Sequence, residues 1–313
     1  MSSDDPFNLA AALAQLKPKD KTPRSANVLN AWIAKAERDL ASDGGRLGWL
    51  VATTTVTAKL QQTLDEAGRP RFLLKGGTLL QHRLPGTARA TTDLDGLVRG
   101  DLDDFLNALV PVLRQAWGPL TFRRGDVEVI DTPSKIIKPR RFDVVVQLGG
   151  VTWRRIQVEA SPDEGRAGES FEPLSPPSLA GLGLPTPDHL AGLAMRYQVA
   201  QKVHASTDPH EPPVRINDRA RDVVDLALIR ALSKETGEPA LTSIREAILD
   251  IFDSRATEAQ MLRRPARRWP ARVVAHPHWQ GSFEKAARSA GVDTTLEEAV
   301  SVVNAWLDQI DAA

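Results

Sequence analysis

Apolar residues recur at helical spacing between residues 26 and 67, with Val28 and Trp32 on one stripe and Val56, Leu60 and Leu64 on another. The spacing predicts two helices, broken at Gly44-Gly45. The 25 residues before them are polar, with Lys17, Pro18, Lys19, Asp20, Lys21 and Pro23, and predict a short helix and a flexible joint. After Pro70 the pattern changes. RFLL at 71–74 predicts a strand that runs straight into Lys75-Gly76-Gly77-Thr78 and a helix over 79–83. A loop with Pro85 and Gly86 leads to DLDGLV at 93–98, a strand whose alternate residues are acidic. Asp101 is placed to cap a helix over 101–113. Residues 127–130, 141–148 and 151–160 predict strands, the last two joined by the hairpin signal Gly149-Gly150.

Residues 161–187 are rich in Pro, Ser and Gly and predict a linker, set at 166–186. Beyond it the pattern is helical. Thr186 can cap and Pro187 can begin a helix reaching His204, and further helices are expected over 217–232, 242–252 and 296–310. The expected fold class is α+β. A mixed, largely antiparallel sheet lies within an α/β domain over 26–165, and a helical domain covers 187–313.

Composition narrows the chemistry. The 313 residues carry 40 Lys+Arg and 40 Asp+Glu, so any nucleic-acid binding has to come from a local basic patch rather than from bulk charge. There is no cysteine, which excludes disulfides, thiolate metal sites and cysteine nucleophiles. No apolar run is long enough to cross a membrane, and the start, MSSDDPFNLA, lacks the cationic segment of a secretory signal. A cytoplasmic protein without a membrane partner is expected.

The stretch from Phe72 to Val98 carries the candidate chemistry. Asp93 and Asp95 lie two apart on a predicted strand, so both carboxylates point to one face. Two close anions repel, and a divalent cation such as magnesium relieves that cost. Gly76-Gly77 lies just upstream between a strand and a helix, where backbone amides can approach a phosphate. Glu159, late in an apolar strand, would supply a third carboxylate, with Asp143 a weaker choice. The plainer alternative is a solvent-facing polar strand. On the helical side, Lys202 shares a stripe with Ala191, Met195 and Val199, while Asp218, Asp222 and Asp225 recur on one helix face. Lys202 either reaches the surface or serves a buried anion, and the acids either form a solvated face or answer that lysine.

Four motifs in order, KGGT, RATTDLD, QKVHA and NDRARDVVDL, resemble the AbiEii/AbiGii-type nucleotidyltransferase toxins of type IV toxin–antitoxin systems. FLLKGGTLL, VAQKVHA and WPARVVAHPHW are close to the mycobacterial MenT branch, and the resemblance runs from about Phe72 to Trp279. It implies a polymerase-β-like nucleotidyltransferase domain and a Mg2+-dependent enzyme using an NTP, CTP among the candidates. The implied acceptor is the 3′ end of tRNA, with aminoacylation and translation blocked as a result. A cognate AbiEi-type antitoxin is the implied partner. The carry-over places Asp93, Asp95 and Glu159 at the metal, and Lys202 and Asp225 in the catalytic set. Lys75, Gly76, Gly77, Thr78, Arg89 and Asp222 fall at the nucleotide phosphates. Many nucleotidyltransferases carry Gly-Ser in the phosphate loop, where this chain has Gly-Gly followed by Thr78.

Two arginine-rich runs suit RNA. Lys135, Lys138, Arg140 and Arg141 form one, with Arg123, Arg124, Arg154 and Arg155 adding to it. Arg263, Arg264, Arg267, Arg268 and Arg272, interleaved with Trp269, form the other, expected to be the RNA contact. A phosphate on Thr91, beside Asp93, would oppose nucleotide binding and act as an off-switch. The competing readings are a small-molecule nucleotidyltransferase of the aminoglycoside-modifying kind, a kinase-like use of the pocket and a non-enzymatic binding module.

Overall fold

A computed structural model describes residues 13–40, 46–84 and 88–313. The expected start of the chain, the Gly44-Gly45 helix break and the Pro85-Gly86 loop lie outside the described residues. Helix α1 (Ala26–Asp39) is capped by Ser25, whose side chain accepts from the Val28 amide, and it buries Leu29, Ile33 and Ala36. Helix α2 (Arg46–Leu60) is buried on nearly all sides. The hydroxyls of Thr53 and Thr55 satisfy themselves there by donating to carbonyls one turn back.

Strand β1 (Phe72–Leu74) leads through Lys75 into α3 (Gly76–Arg83). Strand β2 (Leu94–Val98) is followed by α4 (Leu102–Arg114), which Asp101 caps as expected by accepting from the amides of Asp103 and Asp104. Strands β3 (Leu120–Val129), β4 (Arg140–Leu148) and β5 (Val151–Pro162) follow. The β4–β5 turn uses Gly149 and Gly150 at φ of 61° and 78°, a backbone that other residues adopt only with strain.

The sheet runs β3-β4-β5-β2-β1-β7-β6, where β6 is Phe171–Leu174 and β7 is Leu190–Leu193. Four of its pairings are antiparallel, and two, β2 with β5 and β1 with β7, are parallel. The fold is therefore the expected α+β class, with a mixed, largely antiparallel sheet. Helices α1, α2 and α4 cover one face of β3–β4–β5, where Phe122, Phe142, Val144, Ile156 and Val158 are buried. The opposite face carries Arg123, Arg141, Asp143, Arg155, Gln157 and Glu159 toward solvent, as an antiparallel sheet permits.

Two expectations are corrected. The Pro/Ser/Gly-rich linker contributes β6, an edge strand that tolerates Pro173 because an edge amide need not pair. The helix expected from Pro187 starts only at Met195, since Leu190–Leu193 pairs with β1 as a fully buried strand. A short apolar run carries no period that separates a buried strand from a helix. Helix α5 (Met195–Ser206) then leads to α6 (Ala220–Thr236) and α7 (Leu241–Met261). Two more helices close the lobe, α8 (Gln280–Ser289), which the sequence pattern did not reveal, and α9 (Leu296–Asp311). Trp279 and Trp306 fill its centre.

Candidate active site

The register of the sheet builds the carboxylate cluster. Asp95 on β2 lies opposite Glu159 on β5, Glu159 lies opposite Arg141 on β4, and Arg141 lies opposite Glu128 on β3. One row across the pleat therefore reads acid, acid, arginine, acid. Asp93 stands two residues before Asp95, at the mouth of the strand. Burial pushes the Asp95 carboxyl above the usual range, and the charges of Glu159 and Asp93 push it further. Lys75 and Lys202 pull the other way.

Gly76 closes the site from below. It sits at φ 67°, and a Cβ there would collide with Asp95 Oδ2. The carboxylate thus packs directly on the start of α3. Gly77 is pressed against Thr91 in the same way, its virtual Cβ 3.0 Å from the threonine Cβ. The Gly76 amide is held by Gln198, whose Oε1 accepts from it at 3.2 Å while Nε2 donates back to the Gly76 carbonyl. The expected free amide cradle is therefore partly filled. Thr78 is corrected as well. It is fully buried, and its hydroxyl donates to the Asp93 carbonyl at 3.0 Å, so it fixes the carboxylate strand rather than facing a phosphate.

The helical lobe supplies one cation, Lys202. Lys202 Nζ donates to Asp222 Oδ1 at 2.7 Å and to Asp225 Oδ2 at 2.6 Å. Burial opposes the charge on Lys202, yet the two carboxylates hold its pKa above the ordinary ammonium value. Asp225 is fully buried and also receives two hydrogen bonds from Arg89. Arg89 is thus a partner of Asp225 and not a free phosphate contact. Asp218 precedes α6 and stays exposed. Of the two readings the sequence left open, the structure shows acids answering Lys202, namely Asp225 as expected and Asp222 as well but not Asp218, and sequence reasoning missed Gln198, which lies one helical turn before Lys202 on α5.

Lys75 donates to Ser161 at 3.0 Å, and burial lowers its pKa. Behind it Glu164 receives Lys135 at 2.9 Å and Arg255 at 2.6 Å and is held well below the usual carboxylate range. Nothing in the sequence pattern singled out this cluster, because its members come from three separate segments.

Asp93 and Asp95 offer hard oxygen donors, and no protein hydrogen bond or ion pair to either carboxylate occurs among the described residues. That donor set, which Lys75 and Lys202 offset only in part, fits a divalent cation such as magnesium. Glu159 is held differently. Arg141 donates to its Oε1 through Nε at 3.0 Å and Nη2 at 2.5 Å. Among the described residues no group of three acidic or histidine side chains is arranged around a common metal position.

The expected RNA patch divides. Arg263, Arg264 and Arg268 are exposed. Arg267 is not free, since it bonds Thr207, His204 and Asp208 and lies over the Phe252 ring. Trp269 packs edge-on to Phe252 and donates to Asp311 at 2.6 Å, so it is no stacking platform. His204 is buried, and its pKa is lowered to about 2 by burial.

The family described as nucleotidyl transferase AbiEii toxin, Type IV TA system, matches residues 59–306. None of the curated proteins compared matches the chain. Among solved structures, MenT4, a nucleotidyltransferase toxin from Mycobacterium tuberculosis H37Rv, is similar at 15% identity and a TM-score of 0.48, covering 91% of this chain and 99% of that one. JHP933 from Helicobacter pylori is similar at 13% identity and a TM-score of 0.45, covering 87% and 94%. No helix among the described residues is long and apolar enough to cross a membrane.

Proposed function

The chain belongs to the AbiEii family of nucleotidyl transferase toxins of type IV toxin–antitoxin systems, and on that premise we propose that it transfers a nucleotide from an NTP to the 3′ end of tRNA in a magnesium-dependent reaction. The observation that carries this reading is the pairing of two opposed features. Asp95 packs on the Gly76 turn with Asp93 two residues before it, neither carboxylate has a protein donor among the described residues, and an ammonium fixed by two buried carboxylates acts on the same Asp95.

Asp93 and Asp95 would hold magnesium, whose charge offsets that of the nucleotide phosphates when bound. Lys202 is oriented by Asp222 and Asp225 and would grip the β and γ phosphates, a task that suits a point charge on a flexible stem. Arg89 shares Asp225 and holds that carboxylate in place through two hydrogen bonds. Glu159 would accept the proton of the attacking hydroxyl once Arg141 yields it. The acceptor oxygen bonds to the α-phosphorus, the bond to the β-phosphate bridge breaks, and pyrophosphate leaves. Catalysis on this plan is mostly positioning and charge neutralisation.

A type IV toxin has a cognate antitoxin. Thr91 lies against Gly77 beside Asp93, and a phosphate on it would add about two negative charges at the carboxylates and oppose NTP binding. Mass spectrometry of the toxin co-expressed with its antitoxin should find Thr91 modified when activity is suppressed, and an unmodified but silent toxin removes this switch.

The test is incubation with tRNA, Mg2+ and each NTP labelled at the α or the γ position, followed by sequencing of RNA 3′ ends. The α label should enter tRNA and the γ label should leave as pyrophosphate. Asp93→Asn should abolish incorporation while melting as the parent does. Label passing to tRNA from the γ position, or an active Asp93→Asn enzyme, refutes the proposal.

A further inference from the structure

The row of charged residues across the sheet does not end at the carboxylates. Next to Arg141 the open face of β3–β4–β5 sinks into a cavity of about 320 Å³, lined by Arg123, Asp126, Glu128, Arg141, Asp143 and Arg155. It begins where Arg141 holds Glu159, the carboxylate that faces Asp95 in register. The groove therefore adjoins the row that carries Glu159 and Asp95.

Its lining is neither a basic patch nor an acidic one. Arg155 is paired with Asp143 at 2.9 Å, and both are accessible, the arginine side chain at 62% and the aspartate at 28%. Exposed pairs of this kind contribute little, so either partner can be exchanged for a ligand at small cost. Guanidinium groups match a phosphodiester with two parallel hydrogen bonds. The interleaved carboxylates accept from donors, and a ribose 2′-hydroxyl and the exocyclic amino groups of unpaired bases are such donors. A duplex would present a wall of phosphates to these acids. A single-stranded end presents phosphate, hydroxyl and base edge in turn, and a volume near the lower limit of ligand sites fits about one nucleotide at a time.

Resting on the proposed transfer to an RNA 3′ end, we propose that this groove seats the terminal nucleotide of the single-stranded acceptor and its flanking phosphates, with Arg141 exchanging Glu159 for an acceptor phosphodiester. The exchange would free Glu159 toward the attacking hydroxyl only when an acceptor is present. Arg141 is thus a positioning residue that couples acceptor binding to the third carboxylate. Arg123 and Arg155, farther along the groove, are binding residues. The exposed Arg263, Arg264 and Arg268, in the segment after α7, do not line the groove.

The test uses the full chain and a short single-stranded RNA ending in CCA, with binding followed by fluorescence anisotropy across a salt series. The double variant Arg123→Ala/Arg155→Ala should bind this RNA roughly tenfold more weakly, and its salt slope should be shallower by about 1.4, or 0.7 per lost phosphate contact. NTP binding by calorimetry and the melting temperature should stay at parental values. Arg263→Ala/Arg264→Ala should bind the RNA as the parent does. Parental RNA affinity and salt slope in the groove variant, or a loss confined to the Arg263 and Arg264 variant, overturns the groove. A parent that binds the RNA through the groove yet adds no nucleotide to it refutes the transfer reading instead. A parent that transfers label to RNA while the groove variant does so equally well refutes the groove alone. A parent that does not bind the RNA overturns both.

Discussion

Arg89 and Asp225 stand 136 residues apart in the chain and meet through two hydrogen bonds, Nε to Oδ1 at 3.0 Å and Nη2 to Oδ2 at 3.1 Å. The same Oδ2 receives Lys202 at 2.6 Å, so one fully buried carboxylate ties the strand-side loop to two helices of the second lobe. Removing it leaves two cations buried with too little negative charge. Asp225→Ala should therefore lose roughly 3–5 kcal/mol of stability in urea titration. Asp222→Ala should lose less, because Lys202 keeps Asp225. The reverse ranking would mean that Asp225 is not the anchor of the cluster.

Gly76 has two reasons to be glycine. Its φ of 67° strains any residue with a Cβ, and that Cβ would strike Asp95 Oδ2. Gly76→Ala should cost at least 1–2 kcal/mol from the backbone alone, by about the usual left-handed penalty, and should displace the carboxylate and remove most activity. Gly237→Ala tests the separation of the two effects. Its φ is 77° with nothing within 4 Å, so it should show the stability loss with unchanged turnover. Equal activity losses in the two variants would contradict the close approach at Gly76.

The parts of this site that were legible in the sequence are those set by local spacing. Alternation put Asp95 on its strand, although the strand begins at Leu94 and leaves Asp93 one residue short of it, and helical periodicity put Asp222 and Asp225 on one helix face. The register that sets Glu159 opposite Asp95 could only be guessed, because strand pairing over 64 residues depends on the whole sheet. Buried partners were illegible for the same reason. Arg89 and Thr78 look like phosphate ligands beside a glycine turn, and only tertiary packing reveals that Asp225 and the Asp93 carbonyl already hold them. The strand Leu190–Leu193 was hidden because four buried apolar residues fit a helix as readily as a sheet.

His82 gives a pH dependence independent of the active site. Burial lowers its pKa from 6.5 to about 4, and its Nε2 finds no partner among the described residues. The unfolded chain binds a proton on this ring below pH 6.5, whereas the folded chain refuses it down to about pH 4. Stability therefore falls as pH drops through that window, by roughly 3 kcal/mol once the lower value is reached. His82→Gln removes the titration. Urea unfolding between about pH 7 and about pH 4.5 should show a flatter loss for the variant than for the parent, and parallel slopes would exclude His82 as the source.

Thr78 separates a structural hydroxyl from a substrate contact. It is fully buried at the start of α3, and its hydroxyl donates to the Asp93 carbonyl at 3.0 Å. Thr78→Val keeps the shape and deletes the donor, which leaves the carbonyl dependent on the longer bond from Thr91 at 3.4 Å. The expected stability loss is about 1–2 kcal/mol. Because the carbonyl belongs to the residue that carries the carboxylate, Asp93 should be less well positioned. Turnover should then fall while KM for the NTP stays near the parental value, the pattern of an interaction that matters only at the transition state. Thr78→Ser, which retains the donor, should recover most of the turnover. A raised KM with parental turnover in Thr78→Val would instead place the hydroxyl on the nucleotide phosphates and reverse the assignment made here.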